Sequence, residues 1–279
     1  MKALPIAFLL QGVPFLFLST IIIVIFASEL KKTDRMMTEN SILPKDCDPM
    51  GQAILDYQTT GKASTLKVLS TMFDDDEMSV PYLFRTEESF PVLERVALGM
   101  ASGRVLDVGA GAGCHAIALQ NKGLDVTAID VSPLSCEAMR LRGLKNVQCV
   151  NFFSPMFDER FDTVLMLMNG TGIAGELENL PNLLRRAASL LADGGKILID
   201  SSDLKYLFEN EDGSFDIDLN DKYYGEVDYL MQYRKVKGKP FNWLYVDFPM
   251  LKAVAEDCGL KCKMVEQGNH YDYLAQITK

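Results

Sequence analysis

From residue 104 onward the apolar positions switch repeatedly between two spacings. Short β-branched or aliphatic runs occur at Val105-Leu106 with Val108, at Val126 to Ile129, at Asn146 to Val150, at Phe161 to Met168 and at Lys196 to Asp200. Between them lie stretches of helical spacing. These are Ala116 to Leu119, the segment from Ser132-Pro133 to Gly143, and the face of Leu177, Leu180, Leu183, Leu184, Ala187 and Leu191, which ends at Asp193-Gly194-Gly195. Ser132 is an N-cap with Pro133 at the first helical position, which fixes where that helix starts. A further helix is predicted from Asp247-Phe248-Pro249 to Gly259. Two last strands, Lys261 to Glu266 and Tyr271 to Thr278, pair around Gly268-Asn269. Strands alternating with helices imply an α/β fold, a mostly parallel sheet with helices on both faces.

The first of these strands runs into Asp107-Val108-Gly109-Ala110-Gly111-Ala112-Gly113-Cys114-His115, and a helix follows. A strand, a glycine-rich turn and a helix in that order build a nucleotide-binding crevice. Glycine has no Cβ, so it takes positive φ and lets backbone come close to a ligand. The N–H groups opening the helix then face that ligand with the positive end of the helix dipole. The spacing selects among ligands. A dinucleotide fingerprint needs a third small residue where this chain has Cys114, whereas D-x-G-x-G-x-G resembles the first motif of class I S-adenosylmethionine-dependent methyltransferases.

The resemblance extends over residues 100–203 and implies a Rossmann-like, seven-stranded sheet with one antiparallel strand. It implies a set of residues around S-adenosylmethionine. Asp107, Gly109, Ala110, Gly111 and Gly113 would form the loop under the cofactor. Asp130 closes the second strand, 21 positions after Gly109, where a carboxylate accepts both ribose hydroxyls. Val131 follows it. Asn151 and Phe152 end the third strand, where the family supplies a polar group to the adenine amine and an apolar one to the ring. Asn151 stands in place of the usual Asp, but its carbonyl oxygen still accepts. Asn169 follows the fourth strand, with Gly170 and Thr171 at the edge where the family places its reacting methyl. Asn169-Gly170-Thr171-Gly172 looks more like the small-molecule enzymes than the Asp/Asn-Pro-Pro-Tyr of amide and adenine N-methyltransferases.

Outside this core the chain divides into a segment of residues 1–35, a helical cap or lid over 36–100, and the domain of 101–279 with a hairpin insertion at about 204–247. Met50 to Tyr57 and Ala63 to Phe73 have helical spacing. Asp74 to Glu77 reads as a solvated acidic break, and another helix begins at Phe90 or Pro91 and runs to Met100. Family N-terminal segments close over the cofactor. Tyr82, Phe84 and Arg85 therefore either shield the sulfonium and meet the methionine carboxylate, or are two core aromatics and a surface cation. In the insertion, Tyr224 to Val236 and Phe241 to Asp247 predict two strands around Lys237-Gly238-Lys239-Pro240. Tyr223, Tyr224, Tyr229, Tyr233 and Trp243 there line a pocket or pack across the strands, and packing accounts for most of them.

Charge narrows the partners. The chain has 279 residues and a net charge of −10, so it repels phosphate backbones and nucleic acid is not expected as a partner. The six cysteines lack paired metal spacing, so reduced thiols and no metal are expected. Ala3 to Ser28 carries no charge and is long enough to span a bilayer. Lys31, Lys32 and Arg35 after it would hold the domain on the cytoplasmic side. In the other reading Met36, Met37 or Met50 is the true start and no membrane association follows.

A sulfonium methyl is already activated, so its transfer asks mainly for alignment and exclusion of water. A base is needed only where the acceptor must lose a proton. The chain has two histidines. His115 reads as a helix-start residue and His270 as part of the terminal hairpin, away from the crevice, so no catalytic base is assigned. The expected function is methyl transfer from S-adenosylmethionine to a small molecule. A binder of the cofactor that transfers nothing, and a nicotinamide-dependent oxidoreductase, are the rival classes.

Overall fold

The computed structural model describes residues 42–210, 212–216 and 222–279. The apolar run 3–28, with its anchor and alternative-start readings, lies outside the described residues. Among the described residues no helix is long and apolar enough to cross a membrane.

The first helix, α1 (Pro49–Thr60), is capped by Asp48, whose carboxylate accepts from the Gly51 N–H at 2.8 Å. Strands β1 (Leu66–Leu69) and β2 (Asp76–Met78) follow, then helix α2 (Val92–Met100). The central domain runs β3 (Arg104–Val108), α3 (Cys114–Asn121), β4 (Asp125–Asp130), α4 (Pro133–Leu141), β5 (Val147–Cys149), β6 (Phe161–Met166), α5 (Leu180–Ser189) and β7 (Leu191–Ser202). The insertion supplies β8 (Glu226–Tyr233), β9 (Val236–Lys237) and β10 (Phe241–Leu244). The chain closes with α6 (Phe248–Asp257), β11 (Lys261–Gln267) and β12 (Asp272–Thr278).

The main sheet has seven strands in the order β11-β12-β7-β6-β3-β4-β5. Strands β5, β4, β3, β6 and β7 are parallel, and β12 enters antiparallel between β7 and β11. The seven-stranded expectation, with one antiparallel strand, is met. The reason is visible in β3, where every residue after Arg104 is buried, as a strand covered by helices on both faces requires. Helix α5 buries Leu180, Leu183, Leu184, Ala187 and Ala188, one face of a helical repeat. Ser132 and Asp247 cap α4 and α6 as their positions predict.

The cap differs from the expected helical one. Residues 63–73, read as a helix, contain strand β1, and part of the acidic break, Asp76-Glu77, is strand β2. A second sheet forms in the order β10-β8-β1-β2, with β9 folded back on β8, and all its pairs are antiparallel. Leu66, fully buried, pairs with Tyr233 from the insertion. The physical reason is that Gly61, at φ 68°, terminates α1, and the apolar alternation of Leu66 and Val68 then finds a distant partner strand. His270 also departs from expectation. Because β12 is antiparallel, its first residue Asp272 pairs with Ser202 at the end of β7, so the turn holding His270 emerges on the crevice edge of the sheet.

Candidate active site at the glycine loop

The three loop glycines take φ values of 68° (Gly109), 56° (Gly111) and 80° (Gly113), a region that side chains with a Cβ rarely enter. The Gly109 and Ala110 N–H groups both reach the Ile129 carbonyl, at 3.0 and 3.1 Å, which lashes the loop to the end of β4. Asp130 completes the tie. Its carboxylate accepts from the Gly111 N–H and from the Ser132 N–H, each at 2.8 Å. Each carboxylate oxygen keeps a second acceptor site for a ligand hydroxyl. Burial raises the Asp130 carboxyl above its usual range. A Cβ added at Gly111 would meet no protein atom within 4 Å, so the loop turns an open backbone face toward the crevice.

Asp107 sits beneath that loop, 2% exposed. Its Oδ2 is the one buried side-chain polar atom among the described residues that has no hydrogen-bond partner. Burial pushes its carboxyl up to about 6. A buried carboxylate oxygen lacking a partner fits the ammonium of an amino-acid ligand, and the open glycine face fits a nucleoside. The residues present therefore fit S-adenosylmethionine.

Next to Asp107 lies a buried charge cluster. Glu94 on α2 accepts from Arg85 Nε at 3.2 Å and from Arg85 Nη2, and its Oε2 lies 2.9 Å from His115 Nε2. Arg85 Nη1 donates to the Tyr82 carbonyl at 2.8 Å, and the guanidinium lies 4.0 Å from the Tyr82 ring centroid. Burial alone would lower His115, but hydrogen bonds to Cys114 and Glu94 outweigh it and push the imidazole up to about 10. The same His115 contact, with Arg85 behind it, holds the Glu94 carboxyl below its ordinary value despite burial. His115 is therefore a cation bound in place. Arg85 is not a surface cation, since its donors are engaged by Glu94 and Tyr82. Glu94 carried a sequence signal, a lone carboxylate on the same helix face as Leu98 and Ala97.

After β6 the backbone is strained. Met168 and Asn169 take φ 66° and 59°, two successive left-handed residues without glycine. Such positions cost about 1–3 kcal/mol each and persist only where the surroundings enforce them. Asp200 on β7 does so. Its two oxygens accept from the Met168 and Gly170 N–H groups, each at 3.1 Å. Burial pushes Asp200 up to about 6. Ser202 Oγ donates to Asn169 Oδ1 at 3.0 Å.

The remaining expected residues are placed as follows. Val131 is 37% exposed beside the loop. Asn151 Oδ1 already accepts from the Phe153 N–H at 2.9 Å. Phe152 is buried in the main core, and the neighbouring Phe153 keeps the more open ring. Tyr82 is 43% exposed, whereas Phe84 packs on Tyr57 and under the Arg142 guanidinium. Thr171 is fully buried, with its hydroxyl on Ser201 Oγ and on the Leu244 carbonyl. Gly170 is buried, and a Cβ there would lie 2.6 Å from that of Met166, so the position needs glycine. Gly170 and Thr171 are thus packed into the protein behind the turn. Sequence reasoning missed Glu94 and Asp200: the lone carboxylate on its helix face was the one signal for Glu94, and Asp200 carried none.

A sheet of this order, with the carboxylate-glycine loop after one central strand and a second carboxylate ending its neighbour, defines a Rossmann-like class I methyltransferase. The chain belongs to that family, since residues 83–242 match the methyltransferase domain model. A crystal structure of an S-adenosylmethionine-dependent methyltransferase from Bacteroides fragilis, in complex with S-adenosyl-L-homocysteine, is 55% identical. It covers 85% of this chain and 97% of its own, with a TM-score of 0.81. An uncharacterized methyltransferase of Staphylococcus carnosus is 30% identical over 180 residues, 64% of this chain and 80% of that protein. A ubiquinone biosynthesis O-methyltransferase of Xanthomonas euvesicatoria is 33% identical over 114 residues. That match spans 37% of this chain and 45% of the relative, less than half of the relative's length. The chain is an S-adenosylmethionine-dependent methyltransferase, and S-adenosylmethionine is its methyl donor.

Proposed function

We propose that the chain methylates a small-molecule acceptor at the crevice bounded by the glycine loop, the strained turn after β6 and the cap sheet. The observation that carries the assignment of cofactor residues is Asp107 Oδ2, buried without a partner beneath a loop whose Gly111 faces open space. Asp107 would receive the methionine ammonium, Asp130 the ribose hydroxyls, and Gly109, Ala110, Gly111 and Gly113 the backbone of the ligand. Val131, Asn151 and Phe152 or its neighbour Phe153 would border the adenine, and Asn169 the reacting end.

S-adenosylmethionine supplies a methyl group already activated on a sulfonium. The chain's own contribution is orientation and exclusion of water. Asp200 holds Met168 and Asn169 in the geometry that presents them at the sheet edge. His115 does not act as base, because it is held protonated against Glu94. Nor do the phenols of Tyr223, Tyr224 and Tyr245, which burial raises further above neutrality. With these groups set aside, the acceptor atom is one that is nucleophilic before it binds, or one whose proton passes to water or to His270, whose turn stands on the crevice edge of the sheet.

Incubation of the protein with methyl-labelled S-adenosylmethionine and fractionated metabolites should label a small molecule in a time-dependent way. Tight cofactor binding with no labelled product from any fraction would make it a binder instead. We also propose membrane attachment through residues 3–28, supported by their lack of charge and their length. Full-length protein extracted from membranes by carbonate would refute it.

A further inference from the structure

This inference rests on the methyltransferase reading and concerns what the crevice accepts. The cap sheet has two unlike faces. Directly paired residues share a face, so the register puts Lys67, Gln232 and Lys237 together on the outside. The opposite face carries Leu66, Val227 and Tyr233, all fully buried, as anchors. Between those anchors the same face presents Val68, Tyr229, Met231, Phe241 and Trp243, each only half-buried.

This half-buried stretch lies over the reacting edge. The Trp243 indole rests against Gly172, where a Cβ would come within 1.9 Å of Cε2, so the turn after Asn169 is shaped to seat that ring. Met78, from the same face of β2, packs on the buried cluster of Ile54, Leu83 and Ala112 that Met168 also touches. The cap face thus spans from the glycine loop to the strained turn. Its rings are set at angles to one another. Phe241 is 6.0 Å from Tyr229 and 6.2 Å from Trp243 between centroids, the second pair at 84°. Tyr229 and Tyr245 share a hydroxyl contact of 3.1 Å, which offers a neutral polar group beside them.

The charge of this wall is equally specific. Among the described residues, the inner face of the paired strands carries no Lys or Arg, and the acidic side chain on it is Asp76, which shares the face with Val68. A carboxylate or phosphate on the acceptor would find no cation on this wall and would meet Asp76. We propose that Tyr229, Met231, Phe241 and Trp243 form the acceptor wall, and that the acceptor is an uncharged molecule carrying a planar aromatic ring.

The wall contains the chain's one tryptophan, so it reports on itself. Protein labelled with 5-fluorotryptophan and saturated with S-adenosylhomocysteine has a single 19F resonance, from position 243. Addition of 2-naphthol should shift that resonance, and cyclohexanol should leave it in place. Calorimetry on the same complex should show 2-naphthol binding at least tenfold tighter than 2-naphthoate, which has the same rings and a negative charge. Met231→Lys should weaken 2-naphthol at least tenfold and favour 2-naphthoate, while S-adenosylhomocysteine affinity stays within twofold. A resonance unmoved by saturating 2-naphthol, or equal affinity for the two naphthalenes in the unmutated protein, overturns the proposal. Loss of S-adenosylhomocysteine binding by the unmutated protein would instead overturn the functional reading on which it rests.

Discussion

The glycine loop and the cap sheet meet in one cluster, where Met78 packs on Ala112, yet they are encoded in opposite ways. The loop is contiguous, from Asp107 to His115, and its tie Asp130 lies one helix and one strand further on. The cap sheet joins β1 and β2 to strands drawn from the far end of the chain, with Leu66 opposite Tyr233. One region is set by local backbone chemistry, glycines at positive φ and N–H groups aimed at a carboxylate. The other is set by side-chain burial that exists only once distant segments meet. The first should therefore fail sharply on single substitutions, and the second should respond through stability and acceptor choice.

The largest expected effect lies in the loop. Gly111→Val should remove measurable S-adenosylhomocysteine binding, because a β-branched residue resists φ 56° and its side chain fills the open face. Circular dichroism should show the variant still folded. Retained affinity would mean that the loop does not cradle the ligand.

Next comes the buried cluster that joins the cap turn to the loop. Glu94→Ala should destabilise the protein by about 3–5 kcal/mol, since Arg85 and His115 would lose their common partner in the interior. The sign with pH follows from His115. Its folded-state value is raised to about 10, so its stabilisation is fully present below its unfolded value of about 6.5 and is lost as pH rises through 10. Urea titrations at pH 7 and pH 10 should show this loss in the parent and a flatter profile in Glu94→Ala. Parallel profiles would show that the cluster does not titrate as described.

Asp130→Ala should weaken S-adenosylhomocysteine by roughly ten- to a hundredfold, the loss of a charged acceptor worth about 1.5–3 kcal/mol. The variant also frees the Gly111 N–H from its tie, so Asp130→Asn should recover part of the affinity. An unchanged dissociation constant in both variants would remove Asp130 from the ribose site.

The smallest effect is a pH profile. Asp107 is neutral below about 6 and ionised above it. If it meets the ammonium, affinity for S-adenosylhomocysteine should rise roughly tenfold from pH 5 to pH 6.5 and then level, a change of about 1.4 kcal/mol. Asp107→Asn should flatten the curve. A parent profile already flat over this range would place the ammonium elsewhere.

The comparison also explains what could be read from the chain before folding. Asp107, the glycines and Asp130 were legible because they stand at fixed spacing along one strand-turn-helix-strand unit, at whose end Asp130 accepts from the Gly111 N–H. The order of the main sheet was legible because each strand and helix carries its own apolar period. Strand β1 was not, because Leu66 and Val68 also fit a helical period, and only Tyr233 and Met231 opposite them decide between the two. Arg85 was open to two readings, and the decision lies with Glu94, which the sequence placed on α2 without showing what it would face. Asp200 ends a strand like any other acidic residue, and its role appears only where Met168 and Asn169 turn back onto it.

The most direct test of the central claim is calorimetry of the unmutated protein with S-adenosylhomocysteine and with NAD in parallel. S-adenosylhomocysteine should bind at the glycine loop and NAD more weakly or not at all, because Cys114 stands where the dinucleotide spacing needs a small residue and Asp107 Oδ2 is buried without a partner. Tighter binding of NAD would contradict it.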